Sequence, residues 1–362
     1  MERLHLVSNS GKLHYRDAYG KYMARKRFVL FVLITLLIGT ALFSMTAGSA
    51  GLTLGEVFRT FIGEGTTQAN AIVWNVRLPR IMTATVVGGA LALAGCVMQG
   101  VLRNPLASAS TLGVSQGASF GATIAIVYFS AGVQHNATGS GAISITNPFL
   151  VTVCAFFGGI ISVLVILALS RIKTVTPASM VLAGVALSSL FGGGTTLAQY
   201  FADDVVLASV VYWTFGDLGR TSWNEIVLIF VILSLTFIYF MSKSWSYNGI
   251  QSGLQTARSL GIHVDQLILV SMVLSALLAA SAVSFVGIIN FVGLVAPHMV
   301  RRFVGSDYRF LLPASMLAGA CILLLSDLCS RTIVAPVVLP IGAITSFLGA
   351  PLFLYLIYKG AR

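Results

Sequence analysis

The chain is predicted to be an all-α polytopic membrane protein with about ten transmembrane helices. Two observations carry this expectation. Charged side chains are confined to short stretches between long uncharged runs, which cover residues 28–55, 81–102, 104–170, 174–202, 266–300 and 332–358. In addition, 57% of the residues are hydrophobic and only 9% charged, which leaves no segment polar and long enough for a soluble domain. A membrane-crossing helix needs about 20 mainly apolar residues. In lipid, only helices and closed barrels satisfy every backbone polar group. Barrel strands would alternate apolar and polar residues, and these runs do not.

The elements follow in order. Residues 1–27 are basic and polar and lack the small-residue cleavage site of a signal peptide, so they are read as a cytoplasmic tail; residues 28–362 are read as a single transmembrane domain. The expected spans are Phe28–Thr46, Ile81–Leu102, Leu112–Ser130, Pro148–Ser170, Ala178–Phe201, Glu225–Ser242, Leu267–Val286, Phe291–Val300, Leu311–Leu328 and Gly342–Tyr358. A Gly/Ser/Asn-rich loop, Ala131–Asn147, separates the third from the fourth. The eighth span is too short to cross alone and follows a break at Gly287–Asn290, so it is expected to be tucked into protein. Gly113, Gly117 and Gly121 recur every four residues and share one helical face, which permits close helix approach.

Ten spans that begin and end in the cytoplasm sort the basic residues. The inner side then carries seven Lys/Arg in the tail and ten beyond it, and the outer side carries Arg59, Arg77, Arg80, Arg220 and Arg331, which together make the 22 of the chain. This is the asymmetry of the positive-inside rule, and the inverted topology would break it. The net charge of +11 is thereby spread over loops, not gathered in the single patch that nucleic acid would need. The four cysteines, Cys96, Cys154, Cys321 and Cys329, form no CxxC pair and read as small buried residues.

Several chemistries are missing. The chain has no GxxxxGK[ST] phosphate loop, no HExxH and no Cys/His cluster at metal-ligand spacing. No acid is isolated in mid-span, as a proton relay would require. An intramembrane enzyme finds no residues here; an ion-coupled secondary transporter is the lesser alternative, and energy for transport is expected from a partner. The Lys243–Asp265 loop contains Gly253-Leu-Gln-Thr-Ala-Arg-Ser-Leu-Gly261, in which Ala257, Leu260 and Gly261 fall at i, i+3 and i+4. This is either an amphipathic connector on the membrane or a short helix whose small face fits a groove on a partner.

Ordered strings make the sequence recognisable: Arg77-Leu-Pro-Arg80, Gly95-Cys-Val-Met-Gln99, Asn104-Pro-Leu106, Leu112-Gly-Val-Ser115, Leu182-Ala-Gly-Val-Ala-Leu187, Ala257-Arg-Ser-Leu-Gly261, Phe291-Val-Gly-Leu-Val-Ala-Pro-His298 with Arg301, Asp327 with Arg331, Leu339-Pro-Ile-Gly342 and Gly349-Ala-Pro351. Across roughly residues 50–362 the chain resembles the FecCD-type permease subunits of binding-protein-dependent ABC importers for iron-siderophores, haem and cobalamin. It departs from many relatives at Leu254, where they carry an acid, and at Val338, where they carry Glu.

The resemblance implies ten helices per subunit, a homodimer or related pair around a central pathway, two ATP-binding cassette subunits below and an extracytoplasmic substrate-binding protein above. It places the protein in a bacterial or archaeal cytoplasmic membrane, amid lipid and without nucleic acid. No cofactor is expected on this chain; ATP and Mg would sit on the partner subunits. Arg77, Arg80 and Arg331 would meet glutamates of the binding protein, because a guanidinium pairs with carboxylates bidentately; an Asp327–Arg331 pair at i,i+4 is the alternative for Arg331. Gly253, Ala257, Arg258, Leu260 and Gly261 would couple to the ATPase. Ser188, Gly192, Thr195 and Gln199, on one face of the fifth span, would line the pathway or else pack against a neighbouring helix. Asn104, Leu106, Thr176 and Pro177 would form the cytoplasmic gate. The expected cargo is a metal chelate, an iron-siderophore or haem, with cobalamin as the alternative.

Overall fold

The computed structural model describes residues 2–48, 51–129, 131, 147–172 and 177–360. Most of the Ala131–Asn147 loop, and Thr176 of the expected gate, lie outside them. In chain order the helices are α1 (Glu2–Thr46), α2 (Leu54–Phe61), α3 (Thr67–Ile72), α4 (Leu78–Val101), α5 (Val114–Tyr128), α6 (Pro148–Ile172), α7 (Pro177–Tyr200), α8 (Asp204–Thr214), α9 (Trp223–Ser242), α10 (Ser244–Gln251), α11 (Leu254–Ser259), α12 (Val264–Val286), α13 (Val292–Val304), α14 (Tyr308–Thr332) and α15 (Ile341–Gly360). A π turn, Val73–Arg77, joins α3 to α4 in one continuous rod.

Seven helices among the described residues are long and apolar enough to cross a bilayer. The apolar helices α5, α13 and α15 fall where the sequence expects its third, eighth and tenth spans. The expected tail is no separate element, because α1 runs unbroken through residues 2–46. Lys26, near the end of that tail, is buried: its ammonium lies 3.6 Å from Asp307 and over the rings of Tyr22 and Phe310. Local signals set other helix starts. Thr53 with Glu56, and Ser222 with Glu225, form capping boxes that open α2 and α9.

The bundle is built around α4. Its rod is 89% buried inside the protein over its most apolar window, against 11% for α1 and 17% for α7. Glycine allows the neighbours to reach its backbone. A Cβ on Gly88 would stand 2.4 Å from the Gly319 carbonyl oxygen of α14, and one on Gly95 would stand 1.8 Å from the Gly293 carbonyl oxygen of α13. Pro297, four residues after Gly293, has no N–H to give that carbonyl. The bare oxygen therefore faces the Gly95 α-carbon. The helix α13 is thus held in protein, as its length requires, after a break marked by Gly287 at φ 84° and Phe291 at φ 65°. The Gly113 row packs a second helix pair: Gly117 meets the Gly158 carbonyl and Gly121 the Cys154 carbonyl, both on α6.

Polar contacts fasten the start of α14 to its neighbours. Asn248 of α10 donates to Asp307 at 3.0 Å and accepts from the Tyr308 N–H at 2.9 Å, and Arg309 forks onto Asp307 at 2.7–3.2 Å. Burial pushes the Asp307 carboxyl up, but the hydrogen bonds from Arg309 and Asn248 outweigh it and hold the group well below the usual carboxylate range. A carboxylate lowered on folding adds stability in full above its unfolded pKa, so this contribution holds at neutral pH and is lost progressively as pH falls from that value through the depressed one.

Gly95→Ala is expected to destabilise the fold by about 1–3 kcal/mol or more, because the added methyl meets backbone that cannot swing away. Gly193→Ala, with nothing within 4 Å of the new methyl, is the control and should hold or raise thermal stability. Melting temperatures in detergent read both.

Candidate functional site

The basic residues at the start of α4 and the end of α14 form one network. Arg80 Nε donates to Asp327 Oδ1 at 2.6 Å, and its Nη1 lies 3.2 Å from Asp217, in the turn after α8. Arg331 Nε donates to Asp327 Oδ2 at 2.9 Å, and its two amino groups reach Ser44 Oγ at 2.6 Å and the Ala47 carbonyl at 3.4 Å. Arg77, at the end of the π turn, is buried and donates to the Met45 carbonyl. Asp327 is wholly buried. A carboxylate taken out of water requires paired charge and filled hydrogen bonds, and Arg80 and Arg331 supply them.

Arg77, Arg80 and Arg331, expected to meet a binding protein, are engaged within the chain: their guanidiniums tie α1, α4, α14 and the α8–α9 turn together. The i,i+4 pairing of Asp327 with Arg331 is the one that forms. Sequence reasoning missed Asp217, whose backbone N–H also donates to the Val286 carbonyl at 2.8 Å. Its only signal was a lone acid between Gly216 and Gly219. Arg220 is engaged as well, donating to the Tyr212 carbonyl at 2.6 Å and stacking over the Tyr212 ring. Arg59 is the exposed arginine at this end among the described residues.

The helix α7 is peripheral, and its open face differs from the expected one. Leu182, Val185, Ala186, Ser189, Leu190, Gly193, Thr196, Leu197 and Tyr200 are exposed. Of the expected row, Thr195 is buried, whereas Ser188, Gly192 and Gln199 are half-buried. Ser188 Oγ donates to the Gly184 carbonyl at 2.8 Å, and a Cβ on Gly113, just before α5, would approach it to 3.3 Å. Ser188 and Thr195 thus face the rest of the chain. The polar row on the open side is Ser189, Gly193 and Thr196, one residue further along.

The Lys243–Asp265 loop folds as two short helices, α10 and α11. Gly253 (φ 120°) enters α11 and Gly261 (φ 80°) leaves it. The exit is a Schellman turn, with Ile262 N–H donating to the Ala257 carbonyl and Gly261 N–H to the Arg258 carbonyl. Ala257 is fully buried in its own chain and Leu254 packs against the core. Ala257 therefore anchors α11, while Leu260 and Gly261 of the same expected face stay exposed. The outward side is Gln255, Thr256, Ser259 and Leu260, with Leu260 68% exposed. Arg258 pairs with Asp265 at 3.2 Å on the surface.

The turn after α4 repeats the Schellman geometry: Asn104 N–H donates to the Gln99 carbonyl and Arg103 N–H to the Gly100 carbonyl. Here Arg103 (φ 47°) occupies the left-handed position that glycine usually takes. Asn104 Oδ1 then accepts from the Leu106 N–H at 2.9 Å, and Leu106 is exposed. Pro177 opens α7. No group of three or more His, Cys, Asp or Glu is placed to hold a metal ion among the described residues. Cys96 and Cys321 are buried and Cys154 and Cys329 half-buried.

Residues 35–359 match the FecCD transport family. The chain belongs to that family. An ABC transporter permease of Methanocaldococcus jannaschii is 48% identical over 94% of this chain and 97% of that protein. The hemin transport system permease HmuU of Yersinia pestis is 38% identical over 92% and 96%. The vitamin B12 import system permease BtuC of Vibrio vulnificus is 32% identical over 91% and 93%. A metal-chelate type ABC transporter solved in an inward-facing conformation superposes with a TM-score of 0.80 at 31% identity, over 92% of this chain and 99% of that one. This FecCD chain is accordingly a multi-pass permease subunit of an ABC importer and not itself an enzyme; ATP is hydrolysed on separate subunits of such importers.

Asp327→Asn is expected to cost about 3–5 kcal/mol, because it leaves Arg80 and Arg331 facing each other without their buried counter-charge. Thermal unfolding of the purified chain reads this. Arg59→Glu, on an exposed residue, should leave the melting temperature unchanged.

Proposed function

We propose that the chain is the membrane subunit of an importer for a metal chelate, an iron-siderophore or haem, in a bacterial or archaeal cytoplasmic membrane. Residues 28–362 form one permease domain of ten spans, with both termini and the α10–α11 loop in the cytoplasm. The distribution of Lys and Arg supports that sidedness. A second permease copy faces this one across the pathway, two ATP-binding cassette subunits carrying ATP and Mg cover the α11 end, and a binding protein delivers cargo at the Asp327 end. The small and polar residues on the open side of α7, Ser189, Gly193 and Thr196, line the route. The Asn104–Leu106 turn and the start of α7 close it at the cytoplasmic end.

The observation that carries this reading is the build of α11. It is a short helix pinned by buried Ala257, bounded by two left-handed glycines, and offering an exposed Leu260 to whatever covers it. A push there is delivered to α10 and α12 instead of being absorbed locally. The chemistry of the cargo is supported by the relative that transports hemin and by the structural likeness to a metal-chelate transporter. Cobalamin, carried by the 32% identical Vibrio relative, is the second reading.

Vesicles holding this chain with its ATPase subunit and binding protein should take up ferric siderophore or haem only when ATP is supplied. Leu260→Glu should lower that uptake about tenfold or more with thermal stability intact. Uptake driven by a proton or sodium gradient without ATP would overturn the reading, and preference for cobalamin would select the alternative cargo.

A further inference from the structure

A pocket of about 250 Å³ opens where α4 ends, between that helix, the end of α10 and α13. Gln99, Arg103, Asn104, Gln251 and Arg301 form its polar wall, Gly100 and Pro105 complete it, and no carboxylate is among them. Arg258, Arg309 and Lys26 each have an acidic partner, but neither Arg103 nor Arg301 has one among the described residues. Arg301 Nη2 reaches Gln99 Oε1 at 3.5 Å, and Gln99 Nε2 is committed to the Leu294 carbonyl at 3.2 Å. Arg301 Nε is buried with no hydrogen-bond partner among the described residues. A buried guanidinium N–H without an acceptor is costly, and two unpaired guanidiniums around one opening complete each other as a site for a planar oxyanion group.

We propose that this pocket receives a carboxylate side chain, Asp or Glu, of the ATP-hydrolysing subunit. The inference rests on the reading that this subunit covers the α11 end. Gln251 is the last residue of α10 and stands three positions before Leu254, where α11 begins, so the pocket and the exposed Leu260 belong to one continuous surface. Pro105 is the one apolar side chain at the opening, so the polar wall outweighs anything that the acyl chains of a phospholipid could use. A volume several times the roughly 30 Å³ share of one water accommodates a carboxylate with its stem. Asn104 and Pro105 belong to the turn proposed as a gate, so a carboxylate seated here links the ATPase directly to that turn as well as to α11.

Arg103→Gly tests this without harming the fold, because glycine prefers the left-handed backbone that Arg103 adopts at φ 47°. Binding of the full-length chain to its ATP-hydrolysing subunit is measured in detergent at low and high salt. The variant should bind about tenfold or more weakly, with a shallower salt dependence and an unchanged or raised melting temperature. Arg103→Glu should lose more, and one Asp or Glu to Lys exchange on the subunit should restore it. Unchanged affinity and salt dependence, or loss of co-purifying anionic phospholipid with subunit binding intact, would overturn the pocket assignment alone. A wild-type chain that binds no ATPase subunit would overturn both this inference and the reading it rests on.

Discussion

The close approach of backbones to α4 is the constraint on which the bundle depends. In lipid, apolar side chains have no water to escape, so helices associate through van der Waals contact and polar links. Gly88 and Gly95 allow the carbonyls of Gly319 and Gly293 to reach the α4 backbone, where any side chain would hold them off. The short helix α13 depends on this most. Its thirteen residues are too few to span a bilayer unaided, and Pro297 removes one of its internal hydrogen bonds. Both deficits are tolerable because the helix lies against α4, where Gln99 donates to the Leu294 carbonyl.

Charge completes what glycine begins. Each end of α14 carries an acid that collects cations from other elements. Asp307 holds Lys26 of α1, Arg309 of its own helix and the amide of Asn248 from α10. Asp327 holds Arg80 of α4 and Arg331 of its own helix, and Arg331 reaches on to Ser44 of α1. The helices α1 and α14 are thereby fixed in register at both ends, even though α1 exposes most of its apolar surface to the surroundings. These are pairs in partly or wholly buried sites, where losing one member costs far more than at a wet surface.

Much of this was legible in the sequence because charge cannot lie freely in lipid. The uncharged runs located the long helices after α1 to within a few residues, and Gly287–Asn290 marked the break before α13. The misread features share one physical cause: a linear pattern names a helical row but not what faces it. Ser188-Gly192-Thr195 and Ser189-Gly193-Thr196 are equally polar rows 100° apart, and only packing against α5 decides which one is covered. Arg80 and Asp327 lie 247 residues apart, so nothing local shows that the arginine is already engaged. The Ala257 row likewise looked like a face for a partner, because a small apolar stripe serves an internal contact as well as an external one.

The same architecture limits how the molecule can move. A frame in which carbonyls touch glycine α-carbons has no slack for sliding, since interfaces packed at this density are bistable and not gradually deformable. Thus α4, α13 and α14 move as one body. Parts with an unpacked side include α1, α7 and the outward side of α11. The turn at Arg103 is closed by the same Schellman bonds as the turn at Gly261 but with an arginine where glycine is at ease. Relief of that unfavourable backbone conformation, costing on the order of 1–3 kcal/mol, would favour a rearranged turn, and two unpaired guanidiniums repelling across one pocket push the same way. The turn therefore holds its present shape against its own local preference, which is the property expected of an element that a partner's charge can switch.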